Sequence, residues 1–184
     1  WDGDEVTESL TRAGQRLDAL DLLPAPFPIQ DYLEKRDLEH VMRLYSIGGL
    51  SYGNLSARKD DLRFWMSASG VDKSNLQEIG RDMLLVTDYD AANQAMVMSV
   101  PPGIEPRRVS VDAIEHWMIY KEHPTVGAIV HIHAWWSDPI PSTQVNYPCG
   151  TYEIAAEVAE LVRSLTAREP LRRPQSAHDL IVRL

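Results

Sequence analysis

Val126-Gly-Ala-Ile-Val-His-Ile-His-Ala134 is the most strand-like segment of the chain, and its two histidines decide how the rest is read. On an extended strand, side chains two residues apart point to one face, with Cα atoms roughly 6.5 to 7 Å apart. His131 and His133 therefore share a face with Gly127 and Ile129, while Val126, Ala128, Val130 and Ile132 form the other. Two imidazoles at that separation can converge on one metal ion. The plainer alternative, one histidine bonded in the interior and the other wet, needs a partner for every buried ring nitrogen.

Working outward, Pro124 separates this strand from a helix predicted over residues 111–122. Ser110 is its expected N-cap, the charge of Asp112 favours the helix start, and Val111, Ile114, Met118 and Ile119 are expected to pack inward. Upstream, the alternation in Leu62-Arg-Phe-Trp-Met-Ser67 predicts a strand, and Met83 to Thr87 and Ala95 to Val100 predict two more joined by hairpin turns. Before them, the polar, glycine-punctuated stretch Ser51 to Arg58 follows an amphipathic helix that begins at Ile29 and stops at Gly48-Gly49. Pro24, Pro26 and Pro28 disfavour helix, so residues 1–28 are read as an extended N-terminal arm and 29–184 as the domain. Downstream, Thr151 opens a helix with the stripe Ile154, Val158, Leu161 and Val162, and Asp179 to Leu184 read as a strand cut off at the chain end. Trp1 in place of Met points to a fragment or processed form.

The 184 residues suit one domain, and 44% apolar with 24% charged residues is the mix of a globular protein. With 18 Lys+Arg against 27 Asp+Glu the net charge is −9, and the longest basic clusters are only pairs, such as Arg107-Arg108 and Arg172-Arg173. Nucleic acid and anionic membranes are thus excluded as expected partners. No apolar run approaches the length of a membrane span. The single Cys149 excludes an internal disulfide and a multi-thiolate zinc cluster, which fits a reducing cytoplasm.

A His-x-His strand is unspecific by itself, but here it closes an ordered set. Gly53-Asn54-Leu55-Ser56-Ala57-Arg58 comes first, then Ser67-Ala68-Ser69-Gly70, then Ser110-Val111-Asp112, then His131-Ile132-His133. With Gly70-Val-Asp-Lys73, His116, Tyr120 and Tyr147-Pro-Cys-Gly-Thr151, the set resembles the class II aldolase and adducin family, the fuculose-phosphate and rhamnulose-phosphate aldolase group, over roughly residues 30 to 184.

The resemblance implies an α/β fold, a three-layer α/β/α domain with a mostly antiparallel central sheet, assembled as a homotetramer with sites between subunits. It implies a divalent metal ion, zinc by precedent with iron or manganese as alternatives, held by His131, His133 and a third histidine. That third ligand belongs to an Asn-His-Gly motif absent from this chain, which stops about two residues short of it; His178 is the fallback. Asp112 stands where the family's enzymes carry a catalytic glutamate, a methylene shorter in reach, and Glu115 lies one turn further along the helix. Gly53, Asn54, Ser69, Gly70 and Ser110 match the residues that hold the substrate's anionic end, with Val111 in place of a second serine. The implied activity is metal-dependent C–C cleavage of a small phosphorylated sugar or hydroxy-keto acid through a metal-stabilised enediolate, with Asp112 moving the proton. Two rivals share the scaffold. One is an iron-dependent oxidative decarboxylase of aryl keto acids, for which Val111 and a pocket lined by Trp117, Trp135 and Trp136 would suit a substrate without phosphate, although core or subunit contact is the commoner role of such tryptophans. The other is a non-catalytic adducin-like assembly module.

Overall fold

The computed structural model of the chain describes residues 1–23, 31–45, 52–134 and 140–168. Its centre is a five-stranded sheet: β1 (Asn54–Arg58), β2 (Phe64–Ser67), β3 (Met83–Asp90), β4 (Ala95–Ser99) and β5 (Ala128–His131), in the spatial order β4-β3-β2-β1-β5. All four ladders are antiparallel. Helix α1 (Glu5–Ala19) covers one face, where Leu10 meets Leu55, Ala57, Trp65 and Leu85. Helices α3 (Ala113–Glu122) and α4 (Tyr152–Arg168) cover the other, where Ile114, Met118, Val158 and Val162 meet Phe64, Met66, Val86 and Ile129. The result is the expected three-layer α/β/α arrangement. Helix α2 (Lys35–Tyr45) precedes β1.

Four expectations need correction. The first concerns the N-terminus, where a helix over Glu5–Ala19 replaces the extended arm predicted for residues 1–28. Val6, Leu10, Ala13 and Leu17 form a helical stripe on the sheet, and the Asp4 carboxylate accepts from the Val6 and Thr7 amides while Thr7 Oγ1 accepts from the Asp4 amide, a complete capping box. The prolines act only where they stand, and residues 24–30 lie outside the described residues. Second, α2 starts at Lys35 rather than Ile29. Third, Asn54–Arg58 is a strand flanked by β2 and β5, not an irregular stretch. Its Asn54, Ser56 and Arg58 share a face that is polar and yet covered, which hides the usual alternation.

The fourth correction is at the start of α3. Asp112 occupies the cap position without a side-chain capping bond, and Ser110 Oγ accepts from the Asp112 amide at 3.3 Å. Val111 lies outside the helix and is 47% exposed rather than packed inward. Strand β5 is also shorter than the predicted run, so His133 follows its last residue by two. Trp135, Trp136, His178 and the tail strand lie outside the described residues.

Candidate active site

Helix α3 lies along β1 so that every fourth helical residue meets every second strand residue. Four helical residues advance about 6.0 Å and two strand residues about 6.7 Å, so the two repeats stay matched for a few steps. Three rungs result. Asn54 meets Asp112, Ser56 meets His116, and Arg58 stacks on Tyr120 with its guanidinium carbon 4.6 Å from the ring centre. Arg58 also donates to the carbonyls of Tyr120, His123 and Val126, tying the end of α3 to the start of β5.

The outer rung holds the chemistry. Asn54 Nδ2 donates to Asp112 Oδ2 at 2.7 Å and to Ser110 Oγ at 3.2 Å, which uses both of its hydrogens. Ser110 Oγ donates to Asp112 Oδ2 at 3.2 Å. His131 Nδ1 lies 3.1 Å from the same carboxylate oxygen and 3.1 Å from Asn54 Nδ2, and because the carboxylate can only accept, the ring donates to it from Nδ1. That tautomer leaves Nε2 as a lone pair, the arrangement by which carboxylates orient metal-binding imidazoles. The exposed His133 stacks on His131 with ring centres 4.9 Å apart and meets Tyr52 at 5.8 Å. Gly53, at φ +73, lets β1 approach β5, since a Cβ there would fall 2.0 Å from the His131 carbonyl oxygen.

Burial alone would raise the Asp112 carboxyl, but the hydrogen bonds from His131 and Ser110 work against it and the carboxyl is pulled down to about 2. Glu115, one turn on, goes the other way. Burial and the charge of Asp112 push it up to about 8 against one bond from the Gly150 amide. Two carboxyls on one helix are thereby split into an ionised and a protonated member at neutral pH. Burial, then His131 and Lys73, lower His133, and burial pushes the covered Lys73 down to about 8.

The structure thus brings Asn54, Ser110, Asp112 and His131 into direct contact, with Gly53 and His133 against them. Ser69 and Gly70 sit on the turn after β2, alongside the segment leading to Ser110, through the Ala68–Val109 bridge and the Ser69 amide bonded to the Arg108 carbonyl at 2.8 Å. Trp117 belongs to the core beside α4 and Tyr89. Sequence reasoning missed Ser56, Arg58, His116 and Tyr120 as partners. The signal was present as polar residues at four-residue steps in α3 and two-residue steps in β1.

The His131–His133 pair fits two positions of a metal site: adjacent imidazoles, one oriented by a carboxylate. Among the described residues no group of three His, Cys, Asp or Glu side chains is assembled to complete it. No helix of the described residues is long and apolar enough to cross a membrane.

Residues 37–169 match the profile of the Class II Aldolase and Adducin N-terminal domain. The chain belongs to the class II aldolase and adducin family. Within this family it is similar to methylthioribulose-1-phosphate dehydratase of Pectobacterium carotovorum, with 35% identity over 82 residues, 45% of this chain and 34% of the relative. A methylthioribulose-1-phosphate dehydratase of an Enterobacter species is 30% identical over 116 residues, 63% of this chain and 48% of that protein. The chain thus spans about a third to a half of the length of these class II relatives. Among solved structures, L-fuculose 1-phosphate aldolase superposes with a TM-score of 0.54 at 17% identity, covering 88% of this chain and 68% of that one. The aldolase/epimerase/decarboxylase homologue YgbL of Escherichia coli gives 0.52 at 18% identity, covering 84% and 69%. Those two likenesses carry the class II fold.

Proposed function

We propose that the chain is part of a metal-dependent lyase that removes water from a small phosphorylated hydroxy-ketone, with 5-methylthioribulose 1-phosphate as the first substrate to try. The observation that carries this reading is the ionised Asp112 held against His131, in a chain whose relatives are named as dehydratases of that compound. Cleavage of a C–C bond, the sequence expectation, is the second reading; its support is the fold shared with the fuculose-phosphate aldolase.

A divalent ion at His131 and His133 would polarise the substrate carbonyl and acidify the neighbouring C–H. The chain's own part is the carboxylate. Asp112 takes the proton from the carbon beside the carbonyl, a C=C bond forms as the C–O bond of the next carbon breaks, and the proton leaves with the departing hydroxide as water. Asn54 and Ser110, expected on the substrate's anionic end, hold Asp112 instead. The phosphate is left to Ser69, Gly70 and Gly53. Zinc, a homotetramer and a reducing cytoplasm, in which exposed Cys149 stays a thiol, complete the proposal.

The test is the purified protein with added zinc, manganese or iron, assayed on 5-methylthioribulose 1-phosphate for loss of water and on fuculose 1-phosphate for cleavage. Metal-dependent loss of water that disappears in His131→Ala is expected. Cleavage without dehydration would move the assignment to the second reading. No turnover of either, with no metal bound, would instead favour the assembly module.

A further inference from the structure

The middle rung is left over by the lyase reading, and it is the most enclosed. Ser56, His116 and Tyr120 are each 1% exposed. Ser56 Oγ lies 2.7 Å from His116 Nδ1 and 2.8 Å from the Tyr120 hydroxyl. Burial pushes His116 down to about 3, so the imidazole is neutral, with one N–H and one acceptor nitrogen.

Three proton arrangements satisfy those distances; in one, Nδ1–H and the Tyr120 hydroxyl both donate to Ser56, which strands the Ser56 hydrogen and the Nε2 lone pair, and the other two are as follows. In the first, Tyr120 donates to Ser56 and Ser56 donates to His116 Nδ1, which places the imidazole proton on Nε2. In the second, Nδ1–H donates to Ser56 and Ser56 donates to Tyr120. The second strands both the phenol hydrogen and the Nε2 lone pair, since Ser56 is the only partner of the Tyr120 hydroxyl among the described residues. The first strands only Nε2–H. Each stranded buried group carries an uncompensated desolvation penalty, so the arrangement with fewest holds, which is the first. The chain of bonds is a lock and not a proton path, because it ends at a phenol that is itself enclosed and pushed up by burial.

A second stranded atom sits on the neighbouring rung. Asn54 Oδ1 is buried with no partner among the described residues. Its identity as the oxygen is fixed, because the other amide atom faces the Asp112 carboxylate and must be the donor. A buried donor and a buried acceptor therefore belong to neighbouring rungs, which are offset by about 6 to 7 Å along the seam. One oxygen making two hydrogen bonds of about 2.8 Å spans up to roughly 5.6 Å.

We propose that the seam between α3 and β1 contains a seat for one hydroxylic oxygen, a water molecule in the resting protein, that accepts from His116 Nε2–H and donates to Asn54 Oδ1. Only a group that both donates and accepts satisfies the pair. An anion cannot donate to Oδ1, and a cation cannot accept from Nε2–H. Through this oxygen His116 is a positioning residue for Asn54, and so for the carboxylate that Asn54 holds. The seat stands on packing alone, so an inactive protein that shows the oxygen sinks the reaction and keeps the seat.

A crystal structure of the wild-type protein that shows ordered waters is expected to place one oxygen within about 3.2 Å of both atoms. No oxygen there, or one touching a single partner, overturns the proposal. In crystals soaked with 5-methylthioribulose 1-phosphate, an unchanged peak identifies the occupant as water and a sugar oxygen in its place identifies a substrate hydroxyl; either upholds the seat. Imidazole ¹⁵N spectra of the wild type are expected to show the Nε2–H tautomer at His116, and an Nδ1–H tautomer overturns it. For the positioning role, His116→Phe is expected to lose the resolved side-chain amide signals of Asn54 and His116→Gln, which keeps a donor, to recover them. Unaltered signals in folded His116→Phe overturn that role. If His116→Phe does not fold, Ser56→Ala is the substitute: releasing the lock is expected to mix the two tautomers, and an unmixed spectrum counts against it.

Discussion

Asp112 Oδ2 and His131 Nδ1, 19 residues apart in sequence, lie 3.1 Å apart at the junction of α3 and β5. The carboxylate is already the anion that the surrounding donors hold, and the imidazole is already turned with Nε2 outward. Asp112→Asn keeps the size and removes the charge. It is expected to lower lyase turnover by about 10²-fold or more and to weaken metal binding about 10- to 100-fold, read by turnover assay and by calorimetric metal titration. Turnover within a factor of two of wild type would remove Asp112 from the proton transfer.

Glu115 makes stability depend on pH. Its folded-state value of about 8 exceeds the ordinary 4.5, so the folded state keeps a proton that the unfolded chain releases. Stability is full below about pH 4.5 and falls as pH rises towards 8, by about 1.4 kcal/mol for each pH step of one within that window. Asp112 acts in a separate window, adding stability above its ordinary value of 3.8 and losing it as pH falls towards 2. Thermal melts of Glu115→Gln from pH 5 to 9 should lose most of the wild-type decline. Parallel curves for the two proteins would contradict the assignment.

Gly53→Ala tests how closely β1 and β5 approach. The added Cβ meets the His131 carbonyl oxygen at 2.0 Å, and φ +73 already disfavours a side chain. Urea unfolding should show a loss of about 2 kcal/mol or more, with metal affinity falling as His131 shifts. A variant as stable as wild type would mean the strands separate easily.

Asp4→Ala tests whether α1 is part of the folded unit. The substitution removes the capping box and the 2.6 Å contact with Lys59. A drop of about 1 kcal/mol is expected from the cap, with turnover unchanged because α1 lies on the face away from Asp112. No change in unfolding midpoint would indicate that the helix is docked without holding the fold.

The sheet's three hairpin strands, α3 and α4 were legible because hydrophobic periodicity survives in the chain, whereas the direct contact of His131 with Asp112 was not foreseen. What escaped reading escaped for physical reasons. Strand β1 sits inside the sheet with Asn54, Ser56 and Arg58 on one face, and only knowledge of α3 reveals what satisfies them. Helix α1 was obscured by prolines that follow it. Val111 resembled a core residue by type but precedes the first helical turn, where a Cβ added at Gly150 would fall 3.2 Å from its carbonyl oxygen. The opposite protonation of Asp112 and Glu115 comes from burial and neighbouring charge, which residue spacing does not encode.

The near-equality of four helical and two strand steps makes the seam behave like a key cut to three depths. Inserting or deleting a single residue within β1 or the first two turns of α3 would misalign all three depths together, while a strand slip of two residues matched by a helix slip of four would bring new side chains into the same sockets. The residue counts within Asn54–Ser56–Arg58 and Asp112–His116–Tyr120 are therefore fixed more strictly than the lengths of the loops around the seam.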